Sequence, residues 1–200
     1  MAIAIVMAAV VLGGVLATWL ISSAREAPDA PADGGAAATA VGGPTSRPVG
    51  QGSFGNLVVN WSFERDLTGW QVLGAADASR EPQGRTSGSC ASVRARQPGR
   101  VGLVLPDAVP DAKQGQRYVA SAWVRSTAPG LQVTVRLSGA GAGANENSKT
   151  TATTLPGLQW RRVIVDHTVA SPGPLRLEIV ADGVPAGDAL LADEVVVRQG

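Results

Sequence analysis

The chain is 200 residues long, with 17 Lys and Arg against 16 Asp and Glu, a formal net charge of +1 at neutral pH. The charge is nearly balanced and no basic stripe stands out, so nucleic acid is a poor candidate partner. The one cysteine, Cys90, rules out an intramolecular disulfide, and the one histidine, His167, leaves a zinc site or a histidine-based triad very little to build on.

Residues 1–24 are expected to form a transmembrane anchor or a signal segment. Ala2 to Ile21 is a run of 20 residues without a charge. As a helix it would be about 30 Å long, the thickness of a bilayer core. Ser22 and Ala24 are small residues placed for signal cleavage after Ala24, the alternative that would secrete the protein. The length of the run, and the lack of any Lys or Arg before it, favour a retained single-pass anchor. Arg25 follows the run, so the positive-inside rule alone would put the following domain in the cytoplasm. One arginine beside Glu26 is a small bias, and the resemblance described below argues for an extracytoplasmic domain at the cell membrane.

Residues 25–52 read as a flexible linker. From Ala27 to Gly52, 17 of 26 residues are Ala, Gly or Pro, and no aromatic occurs. Such a stretch buries too little apolar surface to offset its ordering entropy. It reads as a tether that lifts a domain off a membrane or wall.

Residues 53–200 change pattern. Ser89 to Val93 is strand-like. So is Tyr118 to Arg125. Leu131, Val133, Val135 and Leu137 alternate with polar residues, and Leu175, Leu177 and Ile179 alternate with Arg176 and Glu178. Val163 and Val165 alternate less cleanly with Arg162 and Ile164. Turn-rich pieces such as Ala128-Pro129-Gly130 and Ser171-Pro172-Gly173-Pro174 separate the runs. Several strands at this spacing, with no long helical period, predict one all-β sandwich.

Two segments bracket this domain. Asn56 to Glu64 reads as an opening strand that ends in a carboxylate, and Leu190 to Val197 as a closing strand that carries Asp193 and Glu194. Together with Gly69-Trp70 they resemble the start and end of the carbohydrate-binding modules of families four and nine, over residues of about 54–198. The resemblance implies a galactose-binding-like jelly roll that binds a polysaccharide or cell-wall glycan without catalysis, and that is often attached to a glycoside hydrolase as its partner. It also implies a structural calcium. The acidic residue after the opening motif corresponds to Glu64 and the closing-strand acid to Asp193. Main-chain carbonyls complete the site, including one from a Ser-Gly-x loop that matches Ser87-Gly88-Ser89. Calcium takes six to eight oxygens, so two carboxylates plus carbonyls, with Ser89 on the loop, suit it. The closing motif of the family is often Asp-Asp where this chain has Asp193-Glu194, and Trp61 stands where many members have glycine.

Sugar recognition combines an aromatic face with polar side chains that read hydroxyls. Phe63, Trp70, Tyr118 and Trp160 are expected to be structural, which leaves Trp61 and Trp123. Strand periodicity puts Tyr118, Ala120, Ala122 and Val124 on one face, and Val119, Ser121, Trp123 and Arg125 on the other. If the first set is core, Trp123 and Arg125 point outward. Arg136 and Glu178 also alternate out of apolar strands and are expected to share that face, giving Trp123, Arg125, Arg136 and Glu178 as the candidate sugar contacts. The alternative is a structural or protein-interaction sandwich in which Trp123 covers an alanine-rich strand and the three charges are ordinary surface groups.

Other motifs are expected to carry less. Gly139 to Ala144 lacks the following helix of a nucleotide loop and reads as a hairpin loop. Cys90 reads as a small buried hydrophobe. Glycosidases need two carboxyl groups about 5–10 Å apart across a cleft. Asp193 and Glu194, adjacent on a strand, should project to opposite faces, so no enzyme is expected.

Overall fold

The computed structural model describes residues 55–86, 88–139 and 148–200. The expected anchor (1–24), the linker (25–52), Ser87, and the Gly-rich loop after Gly139 lie outside the described residues. The remainder falls within one unit, Ser46–Gly200.

Ten strands run in chain order: β1 (Gln71–Leu73), β2 (Ala76–Pro82), β3 (Ser89–Ala95), β4 (Gly99–Ala112), β5 (Arg117–Ser126), β6 (Gln132–Gly139), β7 (Ser148–Thr154), β8 (Arg161–Thr168), β9 (Gly173–Val184) and β10 (Ala189–Gln199). They form two five-stranded sheets, β1-β4-β9-β6-β7 and β2-β3-β10-β5-β8, in which every pairing is antiparallel. The all-β sandwich expected from the sequence is therefore present, and no helix occurs among the described residues.

Alternation explains the core. Val133, Val135 and Leu137 of β6, with Leu175, Leu177 and Ile179 of β9, bury the inner face of one sheet. Tyr118, Ala120, Ala122 and Val124 of β5 bury the inner face of the other. Each fully buried Leu, Ile or Val contributes about 1.5–3 kcal/mol through removal from water. His167 sits at a core-facing position of β8 and is buried, which lowers its pKa and favours the neutral ring. Cys90 is buried too, and burial pushes its thiol up to about 11.

Two strands that the sequence pattern did not mark have local causes. In β4, Pro106 and Pro110 interrupt the apolar run. Proline cannot donate to a ladder, and the pairing of β4 with β9 shifts register between Leu105 and Val109 and again before Ala112. In β2 the residues Ala76 to Pro82 mix small and charged types, so no alternation stands out.

The opening segment is a correction. Residues 55–70 form no strand. Asn60 and Phe63 both have φ of 54°, a left-handed conformation that a continuous strand cannot hold. The segment is nevertheless tied to β10. Leu57 N donates to the Val197 carbonyl at 2.8 Å, and Val195 N to the Trp61 carbonyl at 2.8 Å. The Asn56 side chain donates to the Val195 carbonyl at 3.0 Å and accepts from Val197 N at 3.0 Å. Asparagine supplies both a donor and an acceptor, so one side chain takes up Val195 O and Val197 N, beside the main-chain bonds at Val195 N and Val197 O.

Candidate functional site

The outer face of the β2-β3-β10-β5-β8 sheet is set by register. Asp193, Trp123 and Arg162 form one row across β10, β5 and β8. Val196, Ser121 and Ile164 form the next, and Arg198, Val119 and Asp166 the third. The opening turn and the β2–β3 turn rise beside these rows. Between them lies a groove of about 780 Å³, whose lining includes Trp61, Glu64, Arg85, Trp123, Arg162 and Arg198.

A β-bulge shapes one end. The β10–β5 pairing shifts between Asp193 and Val196, and Glu194 has φ of 46°. An extra residue in one strand rotates its neighbours relative to the pleat. As a result Asp193 and Glu194 both line the groove, and the expectation that they project to opposite faces fails there. Val195 and Val197 return to the core.

Every carboxylate at this end is engaged. Asp193, 2% exposed, accepts from Arg85 N and from Glu194 N, each at 2.7 Å. Burial raises its pKa, with the nearby Glu194 and Glu64 charges adding to the shift and the two N–H donors opposing it. Glu194 pairs with the Arg85 guanidinium at 2.7 Å and accepts from the Thr86 hydroxyl. Glu64 accepts from Ser89 N at 3.2–3.3 Å. Gly88 lets the loop approach: a Cβ there would lie 2.2 Å from a Glu64 carboxylate oxygen. Arg80 donates from Nε to the Phe63 carbonyl at 2.7 Å, from Nη2 to the Glu64 carbonyl, and to Ser89 Oγ at 2.8 Å.

The three residues expected around calcium, Glu64, Asp193 and Ser89, thus converge where the opening turn meets the bulge. Among the described residues no three of His, Cys, Asp and Glu cluster to hold a metal. A calcium here would draw on main-chain and hydroxyl oxygens beside the two carboxylates, which fits its preference for oxygen. Phe63 and Glu194, each next to one of those acids, both hold a left-handed backbone, with φ of 54° and 46°.

The four expected sugar contacts separate. Trp123 lines the groove, and the Arg85 guanidinium stacks 3.7 Å from its ring centroid. Arg125 leans the other way, over Trp160 at 4.8 Å, with a long hydrogen bond to the Gln83 carbonyl at 3.4 Å. Trp160 in turn packs on Cys90, Ala189 and Leu191. Arg136 and Glu178 lie in register with each other on β6 and β9, in the opposite sheet. Glu178 forms an ion pair of 2.8 Å with Arg176, without hydrogen-bond alignment at Nε. The shared face expected for Arg136 and Glu178 is corrected here: alternation reports the face of a strand, not the sheet that receives it.

Sequence reasoning passed over Arg85, Thr86, Arg162 and Arg198. Arg162 and Arg198 follow the same outward parity as Ile164 and Val196, which a strand-by-strand reading of β8 and β10 carries. Arg85 and Thr86 sit in a turn, where no periodicity marks direction.

No curated protein matches the chain. Solved structures with the same fold include TmCBM61 in complex with β-1,4-galactotriose, at 14% identity and a TM-score of 0.56, covering 72% of this chain and 99% of that one. The CBM22-1 xylan-binding domain from Paenibacillus barcinonensis Xyn10C is similar at 19% identity and a TM-score of 0.55, with 69% and 90% covered. The CBM22-1-GH10 modules of Clostridium thermocellum xylanase 10B, complexed with xylohexaose, are similar at 17% identity and a TM-score of 0.58, with 72% of this chain and 29% of that one covered. These identities show a shared fold. The family model described as carbohydrate binding domain matches residues 55–183 and ends before β10, so Asp193 and Glu194 lie beyond it. With more than half its length matched, the chain belongs to the family 4/9 carbohydrate binding domains.

Proposed function

We propose that the domain is a non-catalytic glycan-binding module, held at the outer face of the cell membrane by residues 1–24 and spaced from it by residues 25–52. The groove carries this reading, because two indoles, Trp61 and Trp123, line it together with polar side chains. Indole faces pack on sugar C–H groups, and guanidinium and hydroxyl groups read sugar hydroxyls. The carboxylates of the groove are occupied by N–H, hydroxyl and guanidinium donors. That arrangement suits tying loops together better than acid–base chemistry. A glycoside hydrolase partner would act on the polymer that the module holds.

The test is retention of the purified protein on a panel of soluble and insoluble polysaccharides, with Trp123→Ala alongside. Retention on one polymer class, lost in the folded variant, is the expected result. No retention on any polymer would defeat the proposal.

Calcium belongs to the same reading. Glu64, Asp193 and a carbonyl of the Ser89 loop would hold it, and its charge would offset the acidic corner. A cation bound only by the folded state stabilises by about 2.7 kcal/mol at a hundredfold excess over Kd. An unchanged melting temperature on adding a chelator would remove calcium from the account.

One observation favours a second reading, a protein-interaction or structural sandwich. The Arg85 guanidinium covers a face of Trp123 and is held there by Glu194. Should Arg85→Ala fail to create or strengthen retention on any polysaccharide, and wild type also bind none, this second reading replaces the first.

A further inference from the structure

The charges in the groove are segregated along β5. At the bulge end, beside Trp123, stand Asp193, Glu194 and Glu64, all engaged by donors of the protein itself. Beyond it stand two guanidiniums: that of Arg162, rooted in the Trp123 row but reaching Ser121, and that of Arg198 in the Val119 row, where Asp166 is taken up by Arg117. Neither has a carboxylate partner among the described residues, whereas Arg85 in the same groove does. Nor is Arg162 left to wander. It is exposed at its root on β8, but its Nη2 donates to Ser121 Oγ at 3.2 Å, and Ser121 is 4% exposed. The guanidinium therefore lies along the sheet, directed toward the row of Arg198. Ser121 and Arg198 are one strand and two residues apart in register. Strand spacing and rise make that about 8 Å between their Cα atoms, the scale of one sugar ring.

We propose that this half of the groove binds an anionic glycan, with a carboxylate or phosphate of the sugar held between Arg162 and Arg198 and the ring packed against the neighbouring indoles. The inference rests on the glycan-binding reading and adds the ligand's charge to it. A neutral polymer would leave two guanidiniums in the groove reading nothing but hydroxyls. An acidic one gives each a charge-assisted bond, and the fork of arginine matches carboxylate and phosphate oxygens two at a time. The acidic row does not oppose this, because Arg85 neutralises Glu194, and Asp193 and Glu64 face N–H donors.

The test uses the full chain and four polymers: polygalacturonate, its methyl ester, a poly(glycerol phosphate) teichoic acid, and neutral β-1,4-galactan. Binding is measured by calorimetry at two salt concentrations. The expected result is tighter binding of polygalacturonate or the phosphate polymer than of both neutral polymers by about tenfold or more, weakened by salt. The two anionic arms separate carboxylate from phosphate as the source. Arg162→Gln with Arg198→Gln should lower that binding about tenfold, with the melting temperature checked in parallel. Arg96→Gln with Arg100→Gln removes the same charge outside the groove and should leave binding unchanged. Equal loss in both double variants would show non-specific attraction and overturn the proposal. Preference for galactan, untouched by the groove variant, would overturn it while leaving glycan binding intact. No binding of any polymer would overturn both readings.

Discussion

Two tryptophans, Trp123 within β5 and Trp160 just before β8, each carry an arginine, and they do different things. Trp160 lies under Arg125 and closes on Cys90, Ala189 and Leu191. Trp123 lies under Arg85 and faces a groove. The stacked pair is the same motif in both places. What differs is the second side of the indole. An apolar cluster turns the ring into packing, and a groove leaves it available to a ligand. An aromatic–cation pair read alone says nothing about function.

The comparison breaks most visibly at Trp160. Trp160→Ala should cost about 3 kcal/mol in chemical denaturation, because the ring covers a buried cluster, and should leave glycan retention as it was. A loss below the measurement error would mean that Trp160 is not packing. Trp123→Ala should do the reverse. Its stability change should stay near 1 kcal/mol, the loss of a half-exposed cation–π pair. Polysaccharide affinity should fall about tenfold, equivalent to roughly 1.4 kcal/mol.

Arg85→Ala sharpens the contrast further. It uncovers Trp123 and frees Glu194, so retention on neutral polysaccharide should rise several-fold. Stability should drop by less than about 1 kcal/mol, as expected for a partly exposed ion pair. Arg125→Ala, the matching change at Trp160, should not alter retention at all.

The smallest effect concerns pH. Burial raises the Asp193 pKa above its ordinary 3.8. The folded state therefore holds that proton more tightly than the unfolded state. Its contribution is full below pH 3.8 and is lost as pH rises through the folded-state value. In the presence of a chelator, the stability of wild type relative to Asp193→Asn should decline across that window. A difference that stays flat with pH would show that Asp193 is not strained by its ionisation.

Much of the fold was legible because alternation is a direct record of burial. The apolar residues of β6 and β9, and the two faces of β5, follow from period two alone. The limits are equally physical. Arg136 and Glu178 alternate outward as read, yet face the far side of the sandwich, since strand order is a long-range property. The opening segment reads as a strand because its residues favour one, but left-handed backbone at Asn60 and Phe63 turns it into a loop. Asp193 and Glu194 share the groove because one bulge cancels the period. Arg162 and Arg198 follow an outward parity, but an outward arginine on a strand looks the same whether water or a groove receives it, and Arg85 lies in a turn that has no period.

The stitching of Asn56 and Leu57 to β10 has a mechanical consequence. β10 is the middle strand of its sheet, flanked by β3 and β5. A pull arriving through the residues that precede Gly55 is borne first by the bonds from Asn56 and Leu57 to Val195 and Val197. Load is delivered to the best-supported strand rather than to an edge that could peel. If the domain is moored through its N-terminal side as proposed, tension on a held polymer would meet those bonds first.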